Sequence, residues 1–115
     1  MRDYSATLRE LLRQACPKLA VRHQLEFKRC FGAVTGYVDG NIFVACGKFG
    51  VALKLPSPTL SELFREEDVL HLRYFPNGHV KKEYAVIPSR IIEDQVRFRK
   101  LIDRSIKYAL LMPSR

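Results

Sequence analysis

The chain of 115 residues contains no tryptophan, only six glycines and six prolines, and only three cysteines. Its apolar runs all fall short of the roughly 20 residues that span a bilayer. No continuous apolar stretch follows Met1, so we expect neither a membrane helix nor a secretory signal. Cys16, Cys30 and Cys46 are odd in number and form no CxxC pair, which predicts free thiols in a reducing cytoplasm.

Motifs of catalysis and cofactor binding are missing as well. The three histidines stand outside any HxH, HExxH or Cys/His array, so the sequence predicts no metal site. Three glycines recur every four residues between positions 32 and 40, but without a GxGxxG or P-loop pattern. We therefore predict no catalytic residue, no metal and no cofactor. A Cys/His nucleophile pair stays open, because such partners meet in space rather than in sequence.

Charge of one sign dominates the chain. The net charge is +8 and the isoelectric point is about 9.7. The basic excess lies toward the two ends, with an acidic run at residues 66–68 between them. Such a charge is compatible with an acidic partner such as nucleic acid, but solubility is the favoured interpretation on charge alone.

The apolar pattern predicts one globular domain over residues 1–115. Helical spacing over about 3–16 ends at Pro17. Alternating β-formers between 25 and 55 predict three or four strands, with turns at Asp39-Gly40 and around positions 47–50. A short helix capped by Ser57 or Thr59 follows, ending near 65.

The rest of the sequence, after this short helix, predicts a second β region and a last helix. Strands over 69–75 and 79–87 flank Asn77-Gly78, a hairpin signal. The last helix runs from 93 or 94 to 111. The order α-βββ(β)-α-ββ-α with hairpin connections predicts an α+β two-layer fold, an antiparallel sheet with helices on one face.

Two faces of the last helix make separate predictions. Ser105 shares the arc of Phe98 and Ile102, so we expect it to be buried and to donate to the carbonyl of Leu101 or Ile102. The opposite arc is predicted to be an exposed basic strip that contacts phosphates or an acidic protein, or is simply solvated. Two lysines of the second predicted hairpin extend this strip or protect a sheet edge. The candidate contact residues are therefore Arg97, Lys100, Arg104 and Lys107 on the helix, with Lys81 and Lys82 on the hairpin.

Aromatic residues are numerous in the β region. Interleaved with lysine and arginine, they are able to stack unpaired bases, but core packing is the favoured interpretation for most of them. They are Phe27, Phe31, Tyr37, Phe43, Phe49, Tyr74, Phe75 and Tyr84.

Several motifs occur together in a recognisable order. They are Phe31-Gly32, the run GYVDGNIF at 36–43, LKL at 53–55 and SIKYA at 105–109. Over roughly residues 5–110 this set resembles the N-terminal domain of the TfoX/Sxy family of competence regulators. Cys30 and Ala33 depart from the methionine and glycine that the family usually carries there.

The resemblance implies a secretion-chaperone-like α+β fold of order α-β3-α-β2-α in a bacterial cytoplasmic protein without known catalysis. Longer relatives are transcription co-activators alongside the cyclic-AMP receptor protein and carry a C-terminal domain, which we expect this chain to lack. The predicted function is a regulatory or protein-interaction module whose partner is a protein such as a transcription regulator. Weak, sequence-independent nucleic-acid binding through the basic helix face is the alternative, and a small enzyme is a remote one. A homodimer is compatible with the sequence.

Overall fold

The helices and strands follow the predicted α+β order, with two short helices added. A computed structural model of the chain describes residues 3–75 and 77–112. Its helices are α1 (Tyr4–Ala15), α2 (Leu19–Arg22), α3 (Ser57–Leu63), α4 (Ser89–Ile92) and α5 (Gln95–Leu110). Its strands are β1 (Leu25–Cys30), β2 (Ala33–Val38), β3 (Asn41–Gly47), β4 (Gly50–Lys54), β5 (Leu70–Leu72) and β6 (Lys81–Ile87).

All six strands form one antiparallel sheet in the order β1-β2-β3-β4-β6-β5. The first four make the predicted meander. The turn between β2 and β3 has positive φ at Asp39 (48°) and Gly40 (88°), as a two-residue hairpin turn requires. Strand β6 then pairs with β4, which places β5 at the edge.

The helices pack on one face of the sheet, as predicted. Every helix contributes side chains to the main hydrophobic core, among them Leu8, Leu19, Leu60, Ile91 and Ile102. The strands contribute alternate residues, because successive side chains of a strand point to opposite faces. The other face carries a smaller cluster of Ala52, Leu72 and Val86 without any helical residue.

Local sequence signals set the boundaries of the long helices. The Asp3 carboxylate accepts from the Ala6 N–H at the start of α1, and the Asp94 carboxylate accepts from the Arg97 N–H at the start of α5. The Cys16 N–H closes α1 on the Leu12 carbonyl just before Pro17, which lacks the N–H to continue. Both predicted helices are confirmed.

Two sequence predictions about the middle of the chain are wrong in detail. Helix α3 begins after Pro56 without a side-chain cap, so neither Ser57 nor Thr59 caps it. Strand β5 covers only Leu70–Leu72, and its last pair with β6 is Leu72 with Lys81. The signal at positions 77–78 therefore belongs to a longer connection over 73–80 rather than to a two-residue hairpin.

Ser105 is buried as predicted, but its partner is not on its own helix. Its side chain is 0% exposed, and its hydroxyl donates to the Phe43 carbonyl at 2.7 Å. Strand β3 bulges against β2, with Gly36 opposite Val44 and Tyr37 opposite Ile42. Phe43 is therefore the extra residue of the bulge, and a bulge leaves such a residue outside the ladder. Ser105 donates to the backbone at this bulge and so ties α5 to the sheet.

Replacing Ser105 by alanine is expected to lower the free energy of unfolding by about 0.5–1.5 kcal/mol, because it removes a buried hydrogen bond between α5 and β3. Urea unfolding followed by circular dichroism measures this loss. Ser61→Ala is the control, since Ser61 is exposed on α3 and its loss should stay within about 0.5 kcal/mol of the parent. Equal effects of the two substitutions would show that the bond to Phe43 contributes nothing.

Candidate interaction sites

The predicted basic strip on α5 loses its first member to an ion pair. Arg97 is half-buried rather than exposed, and its Nη1 donates to Glu66 Oε1 at 3.0 Å, with a second bond from Nη2 to Glu66 Oε2. The prediction of a four-residue exposed strip is wrong at this position, because the partner lies 31 residues away on the connection after α3. Lys100, Arg104 and Lys107 are exposed as predicted.

Two acids of the run before β5, Glu66 and Asp68, are neutralised by two arginines of the C-terminal region. Arg90 donates from Nε to Asp68 Oδ2 at 2.6 Å and from Nη2 to Glu66 Oε1 at 2.8 Å. Hydrogen bonds from Arg97 and then Arg90 lower the pKa of Glu66 from 4.5 to about 2. This cluster fixes α4 and α5 to the connection, so these acids are structural and do not form a free acidic surface.

Acid is expected to weaken the fold through Glu66. Its folded pKa lies below its unfolded value, so its contribution is complete above pH 4.5 and is lost as pH falls from 4.5 to about 2. Glu66→Gln should lower stability at pH 7 and flatten the pH dependence across that window. Unfolding midpoints at several pH values measure both effects, and Glu67→Gln is the matched control. Identical acid profiles for wild type and Glu66→Gln would contradict the assignment.

The two hairpin lysines lie apart from the helical strip. Both are exposed at the start of β6. Lys81 has its Nζ 5.8 Å from the centre of the Tyr74 ring, on the sheet face that carries no helix. Lys81 therefore belongs with the aromatic residues described below rather than with α5.

A groove runs between the end of α1, helix α2 and the C-terminal half of α5. Its cavity measures about 650 Å³. We call it the cationic groove. Its lining residues are Cys16, Pro17, Lys18, Leu19, Arg22, His23, Arg99, Asp103, Ile106, Lys107 and Leu110.

Four cations surround the cationic groove without an acidic partner. The side chains of Lys18, Arg22, Arg99 and Lys107 are exposed and form no hydrogen bond or ion pair with any described residue. Asp103 is the one acid among the described lining residues. Only Lys107 belonged to the predicted strip, because the other three come from α2, its N-terminal flank and a neighbouring arc of α5. The structure thus assembles a positive site that single-helix periodicity could not show.

Cys16 and His23 share this groove but do not have the electrostatics of a nucleophile pair. Burial first, and then the Asp103 carboxylate, raise the pKa of the Cys16 thiol, whereas a reactive cysteine needs a lowered one. His23 Nδ1 lies 2.8 Å from Asp39 Oδ2, and the Gln24 N–H donates to Asp39 Oδ1 at 2.8 Å. These bonds lower the pKa of Asp39 and fix α2 to the turn between β2 and β3.

A second open site lies on the helix-free face of the sheet. Its cavity measures about 550 Å³, and we call it the aromatic cleft. Phe31 and Phe75 are 72% and 54% exposed, with ring centres 5.7 Å apart in an edge-to-face arrangement. The lining residues are Phe31, Gly32, Ala33, Lys48, Phe49, Arg73, Tyr74 and Phe75.

Phe31 is held in an unusual backbone conformation. It occupies the turn between β1 and β2 with φ of 51°, followed by Gly32 with φ of 78°. Positive φ at both central residues suits a two-residue hairpin turn, where asparagine, aspartate or glycine is the preferred first residue. A residue with a Cβ loses about 1–2 kcal/mol in this region. The turn therefore exposes a large ring at a position that folding alone would give to a small polar residue.

Core packing holds for most of the aromatic residues, as predicted, but not for Phe31 and Phe75, while Tyr37 is half-buried outside both clusters. Phe43 is buried, and Phe27, Phe49, Tyr74 and Tyr84 pack against one of the two hydrophobic clusters. Phe31 and Phe75 are exposed because they lie in connections beyond the strand ends. The signal available in the sequence was an aromatic residue directly before a glycine in a turn between two strands.

The described residues hold neither a cluster of metal ligands nor a membrane-spanning helix. Residues 3–75 and 77–112 contain no group of three or more histidine, cysteine, aspartate or glutamate side chains placed to hold a metal ion. Within the same residues, none of the helices is long and apolar enough to cross a membrane.

The antiparallel sheet with five described helices on one face defines a two-layer α+β domain. The family model described as TfoX N-terminal domain matches residues 18–109, and the chain belongs to that family. The predicted resemblance is confirmed. Its motifs lie at the β1–β2 turn, across the β2–β3 hairpin, at the end of β4 and on α5. No curated protein and no solved structure matches the chain.

Proposed function

We propose that this chain is a non-enzymatic regulatory module that binds an acidic, amphipathic helix of a partner protein in the cationic groove. The observation that carries the proposal is the convergence of four unpaired cations around an aliphatic floor. The regulatory role, with a transcription regulator as the class of partner, is proposed by analogy with the competence regulators that the chain resembles.

The floor of the groove selects an aliphatic ligand. Leu19 and Ile106 are nearly covered by the core, while Leu110 is 40% exposed at the groove and Leu111 beyond it is 80% exposed. No phenylalanine, tyrosine or tryptophan lines the groove among the described residues, and its one ring, the His23 imidazole, lies against the Asp39 carboxylate. Aliphatic side chains on one face of a helix would fill this floor, as in other helix-in-groove complexes.

The rim selects the charge of the ligand. Lys18, Arg22, Arg99 and Lys107 would attract carboxylates, which raises the association rate and disfavours basic partners. Each aliphatic side chain that the groove fully covers contributes roughly 1.5–3 kcal/mol. Affinity then comes mainly from the floor, and specificity comes from the rim.

Phosphate contact through the exposed cations of α5 is the second proposal. Lys100, Arg104 and Lys107 make no ion pair with the described part of the chain, which favours it. Such binding would be independent of sequence and steeply dependent on salt. A duplex DNA measurement, included in the experiment of the next subsection, tests it.

Photo-crosslinking in the natural host tests the protein-interaction proposal. Benzoyl-phenylalanine at position 110 lies in the groove, and the same residue at position 62 lies on an exposed part of α3 outside it. We expect a discrete crosslinked protein from position 110 and none from position 62. Crosslinks from both positions alike, or from neither, would contradict the proposal.

A further inference from the structure

We infer that the aromatic cleft is a second binding site, one that takes single-stranded nucleic acid by stacking unpaired bases on Phe31 and Phe75. This inference does not depend on the proposed protein partner, since the cleft lies on the helix-free face of the sheet and shares no lining residue with the cationic groove.

The rings of the cleft are available for stacking. Phe31 meets Tyr74 and Phe75 edge-to-face, with ring centres 6.0 and 5.7 Å apart. Phe49 supports Tyr74 from below at 5.7 Å, also edge-to-face. The supporting rings are half-buried, whereas the two outer rings are exposed. The outer rings are therefore held in place by the inner ones and keep surface for a base.

The charge around the rings fits a phosphate backbone. Lys48 and Arg73 line the cleft, and Lys81 lies over the Tyr74 ring. Arg73 Nη1 donates to the Gly78 carbonyl at 3.2 Å, which orients the guanidinium and leaves its other donors open. None of the described lining residues is acidic. Aromatic rings interleaved with cations are the arrangement that binds single strands without sequence preference.

The turn geometry indicates that Phe31 serves binding rather than folding. A phenylalanine in left-handed backbone is disfavoured, and its ring is mostly in water. Strained conformations of this kind concentrate at functional sites. Among its described residues the cleft also lacks any amide or carboxylate side chain, the groups that pair with the edges of adenine and cytosine. These features assign the cleft to stacking on unpaired bases.

Fluorescence anisotropy of the full chain with labelled oligothymidylate at low salt tests the inference. Oligouridylate and a duplex of equal length are the comparison ligands. Oligothymidylate should bind at least tenfold more tightly than the duplex, and oligouridylate should come within about threefold of it. Duplex binding equal to single-strand binding would assign the interaction to the α5 cations instead. No binding of oligothymidylate, or a tenfold preference for oligouridylate, would overturn the inference.

Variants locate the binding site. Removing the rings by Phe31→Asn and Phe75→Ser should weaken oligothymidylate binding about tenfold for each ring. Asparagine suits the Phe31 backbone, so the loss cannot be attributed to a broken turn. Val96→Ser, at a 67% exposed position on α5, is the matched apolar control and should bind as wild type does. Undiminished binding by the ring variants would refute the assignment. Arg22→Glu/Arg99→Glu in the groove should leave oligothymidylate affinity within threefold of the wild-type value. Failure of the cleft proposal can therefore be distinguished from failure of the protein-partner proposal.

Discussion

Replacing Gly36 by alanine is expected to destabilise the protein by about 1–3 kcal/mol, the usual cost of overpacking a tight core. A Cβ at this position would lie 2.6 Å from Val44 Cγ1 and 3.3 Å from Phe27 Cε1. Alanine normally stabilises the interior of a strand relative to glycine by roughly 0.5–1 kcal/mol, so the predicted sign is the reverse of the usual one. Thermal and urea unfolding measure the change.

A double substitution distinguishes this cause from a general loss of packing. Val44→Ala removes the methyl group that the new Cβ would meet, but leaves a cavity of its own. The loss of stability in the double variant Gly36→Ala/Val44→Ala should therefore be smaller than the sum of the losses in the two single variants. Strict additivity would show that the close approach of β2 and β3 does not cause the destabilisation.

Reversing two groove charges is expected to abolish partner capture. Arg22→Glu/Arg99→Glu places carboxylates where an acidic helix would bind, and like charges at an interface disfavour a partner strongly. We expect the crosslink yield from position 110 to fall at least tenfold. Both arginines are exposed and unpaired within the described chain, so the free energy of unfolding of the variant should stay within about 0.5 kcal/mol of the wild-type value.

A matched pair of arginines controls for net charge. Arg29 on β1 and Arg65 after α3 are also exposed and make no side-chain bond to the described residues, but neither lines the cationic groove. Arg29→Glu/Arg65→Glu changes the net charge by the same amount and should capture the partner as wild type does. An equal loss in both double variants would assign capture to overall charge rather than to the groove.

The sequence predicted most of the fold because the decisive signals are local. Apolar spacing located α1 and α5, and Pro17 marked the end of α1. The turn at Asp39-Gly40 followed from the tolerance of those residues for positive φ. The burial of Ser105 followed from helical phase alone.

The remaining features depend on pairs that are distant in the chain. The Ser105 hydroxyl bonds to a carbonyl 62 residues away, and Arg97 pairs with Glu66 across 31 residues. Helical periodicity describes one element and cannot show which side chain another element brings to it. For the same reason, the cationic groove was missed: it combines α2, its flank and one arc of α5. The exposure of Phe31 was not predicted, because aromatic residues between strands usually pack into the core.

The cationic groove is proposed to receive an acidic, amphipathic helix, and the sequence of the crosslinked segment tests this most directly. Mass spectrometry of the product formed from position 110 identifies the partner residues that lie against the groove. We expect a segment with aliphatic residues at helical spacing and several carboxylates on its flanks. A basic segment, one without apolar spacing, or an attached nucleic acid would contradict it.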